Sequence, residues 1–301
     1  MTTVERPTEP RLTGARVPRV EDPRFLRGEA RYVANLDRVG MVEARFVRSP
    51  YSHARIVSID ASETGEPLGF FTGEDWIAHG IEATSRYEGF QSAVMPILAR
   101  DKVRYVGEPV AMIIAEDAYR AEDLAEMVLV DYEALSPVVD TRGALEDDSP
   151  LVHDEWTSNQ YVPRTYRSPN FDESVGASDK SVTASLINGR HSGVPMEGRA
   201  VLAEPDPNGT GVIVHTATQI PHLVRSAIAN AMDLPEREVR VISPDVGGGF
   251  GVKAQAYPEE VACALAALAL RRPVRWIEDR REHFVASHHS REHLHDATLH
   301  Y

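Results

Sequence analysis

The chain has 301 residues, 42% of them hydrophobic and 26% charged, which is typical of a soluble globular protein long enough for two domains with their own cores. Its formal net charge of −14 argues against a nucleic-acid-binding surface. No apolar run approaches the length of a membrane span, and no apolar secretory core follows Met1, so a cytoplasmic location is the expectation. The single cysteine, Cys263, excludes an internal disulfide and an iron–sulfur cluster held within this chain.

The first part of the chain predicts a short arm followed by an α+β domain. Prolines and charges dominate residues 1–18, which suggests a disordered or surface-lying arm. Over residues 19–140, alternating or continuously apolar runs predict strands, and apolar residues at helical spacing predict a covering helix. The predicted strands are 41–47, 54–60, 103–106, 109–115 and 129–133, and the predicted helices are 118–128 and a short one at 73–76. The turn at 106–108 is expected to be structural, and Glu108 is its only acid worth testing for an active-site role.

The second part predicts an α/β domain. Residues 141–180 are rich in turn-forming residues and predict a linker over the surface between two domains. Strands and helices then alternate over residues 181–301. The predicted strands are 182–187, 200–203, 211–218, 239–243, 274–277 and one that begins at 296, and the predicted helices begin at 221 and cover 258–270. This order places Gln219 and the following glycine stretch at the C-terminal ends of strands, where ligands gather in open α/β sheets.

The glycine stretch between the strand at 239–243 and the helix at 258–270 is the strongest motif. Four of the five positions from 247 to 251 are glycine, and Phe250 is the fifth. Glycines permit positive φ and let backbone N–H groups approach a ligand closely. A phosphate-binding P-loop is excluded because Ala254 follows Lys253, and the dinucleotide fingerprint is excluded because Val252 stands where its third glycine belongs. The remaining alternative is a tight turn without a ligand.

The segment Val241–Lys253 resembles the cofactor-contacting loop of the molybdenum hydroxylases, the family of xanthine dehydrogenase, aldehyde oxidase and carbon monoxide dehydrogenase. Three further segments resemble that family in the same order along the chain. They are Arg104–Ala111, Arg190–Arg199 and Thr216–His222. The chain is similar to the N-terminal part of the molybdopterin-binding subunit. The resemblance implies a hammerhead-type α/β domain over 19–140, then the first part of a molybdopterin-binding α/β domain over 181–301.

The resemblance also implies roles for individual residues. Gln219 and Phe250 would position the oxygen ligands of molybdenum and so count as catalytic. The cofactor-binding residues would be Gln219, Gly248, Gly249, Phe250 and Gly251. No protein side chain would bind the metal directly, because its ligands come from the pterin dithiolene and from oxo or sulfido groups. Gln219 has one alternative role, capping the nearby helix.

Other polar residues point to structural roles. Glu197 and Arg199 are predicted to form a structural ion pair with each other, since buried charges persist chiefly when paired. Histidines crowd the C-terminal part of the chain, at positions 283, 288, 289, 293, 295 and 300. Although His289 and His293 have i, i+4 spacing, no cysteine or paired acid completes a metal site. Cys263 lies in an apolar helix and is predicted to pack there.

The implied function is a subunit of a molybdenum hydroxylase acting on an aldehyde or an N-heterocycle with water-derived oxygen. The implied cofactor is molybdenum–molybdopterin, in its cytosine dinucleotide form, and electrons would pass to iron–sulfur and FAD centres held in partner chains. In the family the catalytic glutamate lies further downstream, so a second molybdopterin-binding chain is expected as a partner, in preference to the chain being a fragment. Ala254 stands where xanthine-oxidising members carry a substrate-binding glutamate, which disfavours a purine substrate. The alternative is a non-catalytic scaffold or assembly module, and a nucleotide-binding protein is a weaker third.

Overall fold

A computed structural model describes residues 13–301, so most of the predicted N-terminal arm lies outside the described residues. The α-helices within that range are α1 (Asp22–Leu26), α2 (Ala118–Glu126), α3 (Phe171–Gly176), α4 (Pro221–Ala231), α5 (Pro258–Leu270) and α6 (Arg280–Ala286). The strands are β1 (Val42–Arg48), β2 (Ala54–Asp60), β3 (Gly69–Thr72), β4 (Gly80–Glu82), β5 (Val94–Pro96), β6 (Lys102–Val103), β7 (Pro109–Ala115), β8 (Leu129–Ala134), β9 (Ser181–Asn188), β10 (His191–Ser192), β11 (Ala200–Pro205), β12 (Val212–Thr216), β13 (Val239–Ile242), β14 (Val274–Ile277), β15 (His289–Ser290) and β16 (His293–His300). None of these helices has the length and apolarity needed to cross a bilayer.

The main sheet contains strands from both predicted domains. Its order is β13-β12-β11-β14-β1-β7-β3, so β1, β7 and β3 extend a sheet whose other strands come from the second half of the chain. The joint is a short parallel pairing of β1 with β14, in which Val42 faces Val274. The predicted domain boundaries at 19–140, 141–180 and 181–301 stay predictions. The order of the elements along the chain did not indicate that the two halves share one sheet.

Helices cover the two faces of the main sheet, as the alternation of its strands requires. In β7, Met112 and Ile114 belong to the main core, which also contains buried residues of α4 and α5. The intervening Ile113 belongs to a separate cluster on the opposite face, where it meets Leu124 of α2. Because both faces of β7 are buried, every one of its residues is apolar. The packing of Cys263 is confirmed, since it lies in α5 and has no exposed surface.

Two predictions of local structure in the first half are wrong. Residues 73–76 form a turn rather than a helix, although Asp75 Oδ2 accepts the backbone N–H of Thr72 at 2.7 Å, a contact of the kind found at the start of a helix. The strand predicted at 103–106 is limited to β6, which ends at Val103. The next residue, Arg104, donates its N–H to Glu108 Oε2 rather than to a neighbouring strand.

The predicted linker contains α3 and otherwise consists mainly of turns and irregular structure. It is held against the first half of the chain, where the side chain of Gln91 donates to the carbonyls of Ser158 and Gln160, each at 2.8 Å. Beyond the linker, β9 and β16 pair as an antiparallel ribbon, and every residue of β9 is exposed. The predicted strand that begins at 296 is part of this ribbon.

Candidate functional site

The candidate site lies at the carboxyl ends of β12 and β13. These strands are parallel, with Val212 opposite Val239, so the segments that follow them emerge at the same edge of the sheet. Gln219 follows β12, and the glycine loop, residues 245–253, follows β13. The structure brings the two together. Gln219 Oε1 accepts the N–H of Gly251 at 3.0 Å, and the backbone N–H of Gln219 donates to the carbonyl of Lys253 at 2.9 Å.

The glycines of the loop are required by close approach and by backbone conformation. A Cβ on Gly249 would lie 2.4 Å from Cδ of Gln219, which is well inside van der Waals contact. Gly248 and Gly251 have φ values of +102° and +84°, in the left-handed region that glycine tolerates best. Phe250 is also left-handed, at φ +51°, and its side chain is 75% exposed. A strained, exposed aromatic residue in a loop of this kind is typical of a functional position.

The donors at this edge lack partners within the chain. Gly251 N–H can only donate, so the side-chain atom of Gln219 that faces it is the oxygen, and the Nε2 group is directed elsewhere. Within residues 13–301, no acceptor lies within hydrogen-bond reach of that Nε2 group or of the N–H groups of Gly248, Gly249 and Phe250. We call these four groups the loop edge. They form a concentrated set of donors suited to a ligand rich in oxygen.

The helix-capping alternative for Gln219 is wrong. The N-cap residue of α4 is Ile220, and no side chain caps that helix. The N–H of Ile220 instead donates to the hydroxyl of Thr218 at 3.2 Å. The side chain of Gln219 instead contacts the glycine loop.

Segment 190–199 lies along the glycine loop, which agrees with the resemblance of both to neighbouring parts of one site. A Cβ on Gly193 would lie 3.1 Å from Cβ of Phe250. Glu197 Oε2 accepts the N–H of Gly247 at 2.7 Å and the Nζ group of Lys253 at 2.8 Å. The predicted ion pair of Glu197 with Arg199 is wrong, because each residue pairs with a partner distant in sequence.

Arg199 lies at the centre of a buried ionic cluster. Its guanidinium group contacts Glu259 at 3.0 Å and Glu278 at 2.7 Å, and it lies 3.9 Å above the ring of Tyr257. Antiparallel pairing of β11 with β14 sets Ala200 opposite Ile277, which brings the adjacent Arg199 and Glu278 together. Burial opposes the charge of Arg199, but the two glutamates outweigh burial and raise its pKa.

Arg48 connects this cluster to the first half of the chain. It is the last residue of β1, is buried, and contacts Glu259 and Glu282, each at 2.9 Å. Burial raises the pKa of Glu259, but Arg199 and Arg48 reverse that effect and lower it overall. His283 completes the cluster through a 3.0 Å contact with Glu278. We call Arg48, Arg199, Glu259, Glu278, Glu282 and His283 the Arg199 cluster.

Two other buried acids have no cation among their hydrogen-bonding side chains within residues 13–301. Glu260 of α5 accepts the hydroxyl of Thr216 at 2.7 Å and the N–H of Tyr257 at 3.0 Å. Burial raises the pKa of Glu260 to about 7. Burial likewise raises the pKa of Glu108 to about 7. The turn that holds Glu108 packs closely against α6, since a Cβ on Gly107 would lie 2.7 Å from the backbone at Val285, and its structural role stays a prediction.

The contacts that fix the two ends of the glycine loop were not predicted from the sequence. At its start, Asp245 accepts both terminal nitrogens of Arg24 at 2.5 and 2.6 Å and the N–H of Arg31 at 2.7 Å. The Arg24 hydrogen bond lowers the pKa of Asp245 to about 2. At its end, Lys253 is buried against Glu197. The sequence does place a charged residue at each end of this glycine-rich loop. Such a charge needs an oppositely charged partner when the loop packs against the protein, so this pattern could have indicated the two ion pairs.

The enclosed space beside Lys253, beneath the end of the glycine loop, is too small for an organic ligand. A cavity of about 10 Å³ lies among Arg199, Thr216, Lys253, Glu260 and Trp276, which is room for about one water molecule. A Cβ on Gly251 would meet no atom within 4 Å, so the outer side of the loop is open. Within residues 13–301, no group of three or more histidine, cysteine or acidic side chains is arranged to bind a metal ion, and His293 belongs to the exposed strand β16.

The chain matches two families in consecutive segments. Residues 27–136 match the aldehyde oxidase and xanthine dehydrogenase a/b hammerhead domain, and residues 152–300 match the molybdopterin cofactor-binding domain. Among curated proteins, the chain is 38% identical to the nicotine 6-hydroxylase large subunit of Paenarthrobacter nicotinovorans, over 93% of this chain and 35% of that protein. It is 33% identical to the carbon monoxide dehydrogenase large chain of Hydrogenophaga pseudoflava, over 93% of this chain and 36% of that protein.

A solved structure agrees with these matches. The fold is similar to that of quinoline 2-oxidoreductase from Pseudomonas putida 86, with a TM-score of 0.88 and 38% sequence identity over 95% of this chain and 37% of that one. The chain therefore spans little more than a third of the length of these relatives.

Proposed function

The chain belongs to the molybdenum hydroxylase family, and from that premise we propose that it forms part of the molybdopterin-binding subunit of such an enzyme and holds one side of the cofactor at the loop edge. The observation that carries this proposal is the set of unpaired donors formed by Gln219 Nε2 and the N–H groups of Gly248, Gly249 and Phe250. A donor set held at the carboxyl ends of parallel strands suits an oxygen-rich ligand.

The residues present fit the implied cofactor. The cradle excludes a side chain at Gly249, where an added Cβ would overlap Gln219, yet the backbone donors remain available. Gln219 carries no charge, so it can hold an oxygen ligand without altering the charge of the centre. When bound, the cofactor would supply the two-electron chemistry that places water-derived oxygen on the substrate.

Gln219 and the residues of the glycine loop would each have a distinct task in holding the cofactor. Gln219 donates through Nε2 to an oxygen ligand, while its Oε1 stays on Gly251 and fixes the orientation of the amide. Gly248, Gly249 and Gly251 bring the backbone close to the cofactor. Phe250, already 75% exposed, packs beside the reacting centre and limits the access of water. Preorganised donors of this kind stabilise developing charge at little cost in reorganisation.

The general base is proposed to come from another chain, because both carboxylates at the ends of the glycine loop are paired with cations. The carboxylates bonded to the two ends of the loop are Asp245, which pairs with Arg24, and Glu197, which pairs with Lys253. An acid committed to a cation is a poor base at neutral pH. A second molybdopterin-binding chain is proposed to supply the catalytic glutamate and the remaining contacts with the cofactor. Iron–sulfur and FAD subunits are proposed to accept the electrons, and the cytosine dinucleotide is the proposed form of the pterin.

The proposed substrate is an aldehyde or an N-heterocycle, and the comparisons favour the second class. The names of two similar proteins, nicotine 6-hydroxylase and quinoline 2-oxidoreductase, specify substrates that contain a nitrogen heterocycle. A ring carbon beside such a nitrogen is electron-poor and so accepts water-derived oxygen.

The test begins with the full chain purified together with the proteins that bind it. Molybdenum and pterin in about equal amounts, with cytidine monophosphate released by hydrolysis, are the expected contents. A panel of aldehydes and N-heterocycles with a dye acceptor then identifies the substrate. Gln219→Ala should lower the turnover rate on the order of 10²-fold through loss of an oriented donor, whereas Gln160→Ala, in the linker, should not.

The alternative is a scaffold that keeps the fold without the metal. Its support is that the cavity beside Lys253, of about 10 Å³, is too small to enclose a cofactor. A complex that is stable, complete and free of molybdenum after expression with molybdate would favour this alternative and overturn the enzymatic proposal.

A further inference from the structure

Lys253 is the most deeply buried charged residue of the glycine loop. Its side chain has no exposed surface, and its Nζ group lies 2.8 Å from Glu197 Oε2. Burial lowers the pKa of Lys253, and the hydrogen bond with Glu197 opposes that effect. A buried ammonium group is costly unless it is paired, so Lys253 holds its position only as long as Glu197 faces it.

Glu197 connects Gly247, near the start of the loop, with Lys253 at its end through a single oxygen atom. Its Oε2 accepts the N–H of Gly247 at 2.7 Å as well as the Nζ group of Lys253. Its other oxygen, Oε1, is buried and has no partner within residues 13–301. The carboxylate is therefore satisfied on one side only, and removal of Lys253 would leave it largely uncompensated.

The backbone of Lys253 fixes the segment on the other side of the site. Its carbonyl accepts the N–H of Gln219 at 2.9 Å and the hydroxyl of Thr218 at 3.2 Å. One residue thus contacts Glu197 through its side chain and Gln219 through its backbone. These contacts set the distance between the segment after β12 and the loop after β13.

We propose that Lys253 and Glu197 form an internal clamp that holds the glycine loop and Gln219 in register for cofactor binding. Lys253 is a positioning residue, because its buried side chain cannot reach a ligand on the outer side of the loop. Without the clamp, Gly247 and Lys253 separate, and the hydrogen bond from Gly251 to Gln219 Oε1 loses its fixed geometry. The contacts within the chain support the clamp between the two segments, and its role in cofactor binding rests on the proposed function.

The clamp is tested by hydrogen exchange on the full chain in its complex. Lys253→Met keeps the aliphatic stem and removes the charge. The hydrogen-bonded amides of Gln219, Gly247, Gly251 and Val252 are expected to exchange about tenfold faster in this variant, since their local opening becomes easier. Lys102→Met is the matched control, because Lys102 Nζ also lies 2.8 Å from a carboxylate, that of Asp154, but outside the loop. Unchanged exchange of the loop in Lys253→Met would overturn the clamp.

A double variant separates positioning from general stability. Glu197→Gln combined with Lys253→Met removes both buried charges, so the free energy of unfolding should recover relative to Lys253→Met alone. Loop exchange is expected to stay fast, and the molybdenum content is expected to stay several-fold below that of the wild type. Recovery of loop protection together with stability would assign the pair a purely structural role and overturn the proposal. If the wild-type complex contains no molybdenum, the proposed function fails, and the exchange comparison still decides whether the clamp exists.

Discussion

The Arg199 cluster and the loop edge are both polar, yet they differ in whether their hydrogen-bonding groups have partners. In the cluster, Arg199 is paired with Glu259 and Glu278 inside the protein. At the loop edge, Gln219 Nε2 and three backbone N–H groups have no acceptor among residues 13–301. The cluster is buried and internally paired, whereas the donors of the loop edge face an open side of the loop and are available to an oxygen-rich ligand.

This comparison distinguishes the polar residues that stabilise the fold from those whose hydrogen-bonding groups remain available to a cofactor. The cluster joins β1, α5, α6 and the β11–β14 pair, and so connects the two halves of the chain. The loop edge makes few contacts of this kind. Changes in the cluster should therefore act on stability, and changes at the loop edge should act on the bound cofactor.

The largest effect is expected from Arg199→Met. This change leaves Glu259 and Glu278 buried without their central cation, and breaking one partner of a buried pair typically costs about 3–5 kcal/mol. Denaturant unfolding of the full chain measures the loss. Arg225→Met is the control, because Arg225 forms an ion pair with Glu236 at 2.6 Å on the surface, where the expected loss is below about 1 kcal/mol. Equal losses in the two variants would show that the cluster contributes no more than a surface pair.

The next largest effect concerns Glu260 and depends on pH. Burial raises its pKa from 4.5 to about 7, so the folded state binds this proton more tightly than the unfolded state. The resulting stabilisation is fully present below about pH 4.5 and is lost as the pH rises through about 7. Glu260→Gln cannot ionise, so the stability of the variant relative to the wild type should rise by about 3 kcal/mol between pH 4.5 and 8.

Unfolding curves of both proteins across that range measure the difference, and contributions from other titrating groups cancel in it. Glu126→Gln, at an exposed position at the end of α2, is the control. A difference that does not vary with pH would mean that Glu260 is ionised in the folded protein as readily as in the unfolded one.

A smaller change in stability, with a large change in cofactor content, is expected from Gly249→Ala. The added Cβ would lie 2.4 Å from Cδ of Gln219, so either the loop or the glutamine must move, at a cost of about 1–3 kcal/mol. Molybdenum analysis of the complex should show that most of the cofactor is lost. Gly251→Ala tests the alternative cause, because that position has no atom within 4 Å of the Cβ but has a φ of +84°. Equal molybdenum loss in both variants would point to backbone strain rather than to displacement of Gln219.

The smallest change in stability is expected from Phe250→Ala. The side chain is 75% exposed, so the free energy of unfolding should change by no more than about 0.5 kcal/mol. The rate of substrate turnover should nevertheless fall, because the aromatic ring no longer excludes water from the reacting centre. Stopped-flow reduction by substrate, compared with thermal unfolding, separates the two effects. A large loss of stability would place Phe250 with the residues that maintain the fold.

Much of the local structure could be predicted because periodicity is a local property. The continuous apolar run of β7, the spacing of apolar residues in α2 and the proline at the start of α5 each specify one element without reference to the rest of the chain. The short helix expected at 73–76 was wrong, since the backbone forms a turn there. A segment of four residues has too few apolar positions for periodicity to distinguish a helix from a turn.

The candidate site could be predicted in part. Strand, helix and strand in succession placed Gln219 and the glycine loop at the same edge, and the structure agrees. The partners of charged residues could not be predicted from proximity in sequence. Glu197 and Arg199 are two residues apart, but Glu197 faces Lys253 and Arg199 faces Glu278. The antiparallel register of β11 and β14 decides the second pairing, and register is a property of the assembled sheet.

The amino-acid sequence alone was enough for most of the longer strands and helices, for the family and for the edge at which the glycines lie, because each depends on residues close together in the chain. Three features emerged only in the folded protein: β1 joins β14, Arg48 connects the first half of the chain to the Arg199 cluster, and Lys253 is buried beside the loop. These features depend on contacts between residues far apart in sequence, which form only when packing brings their elements together.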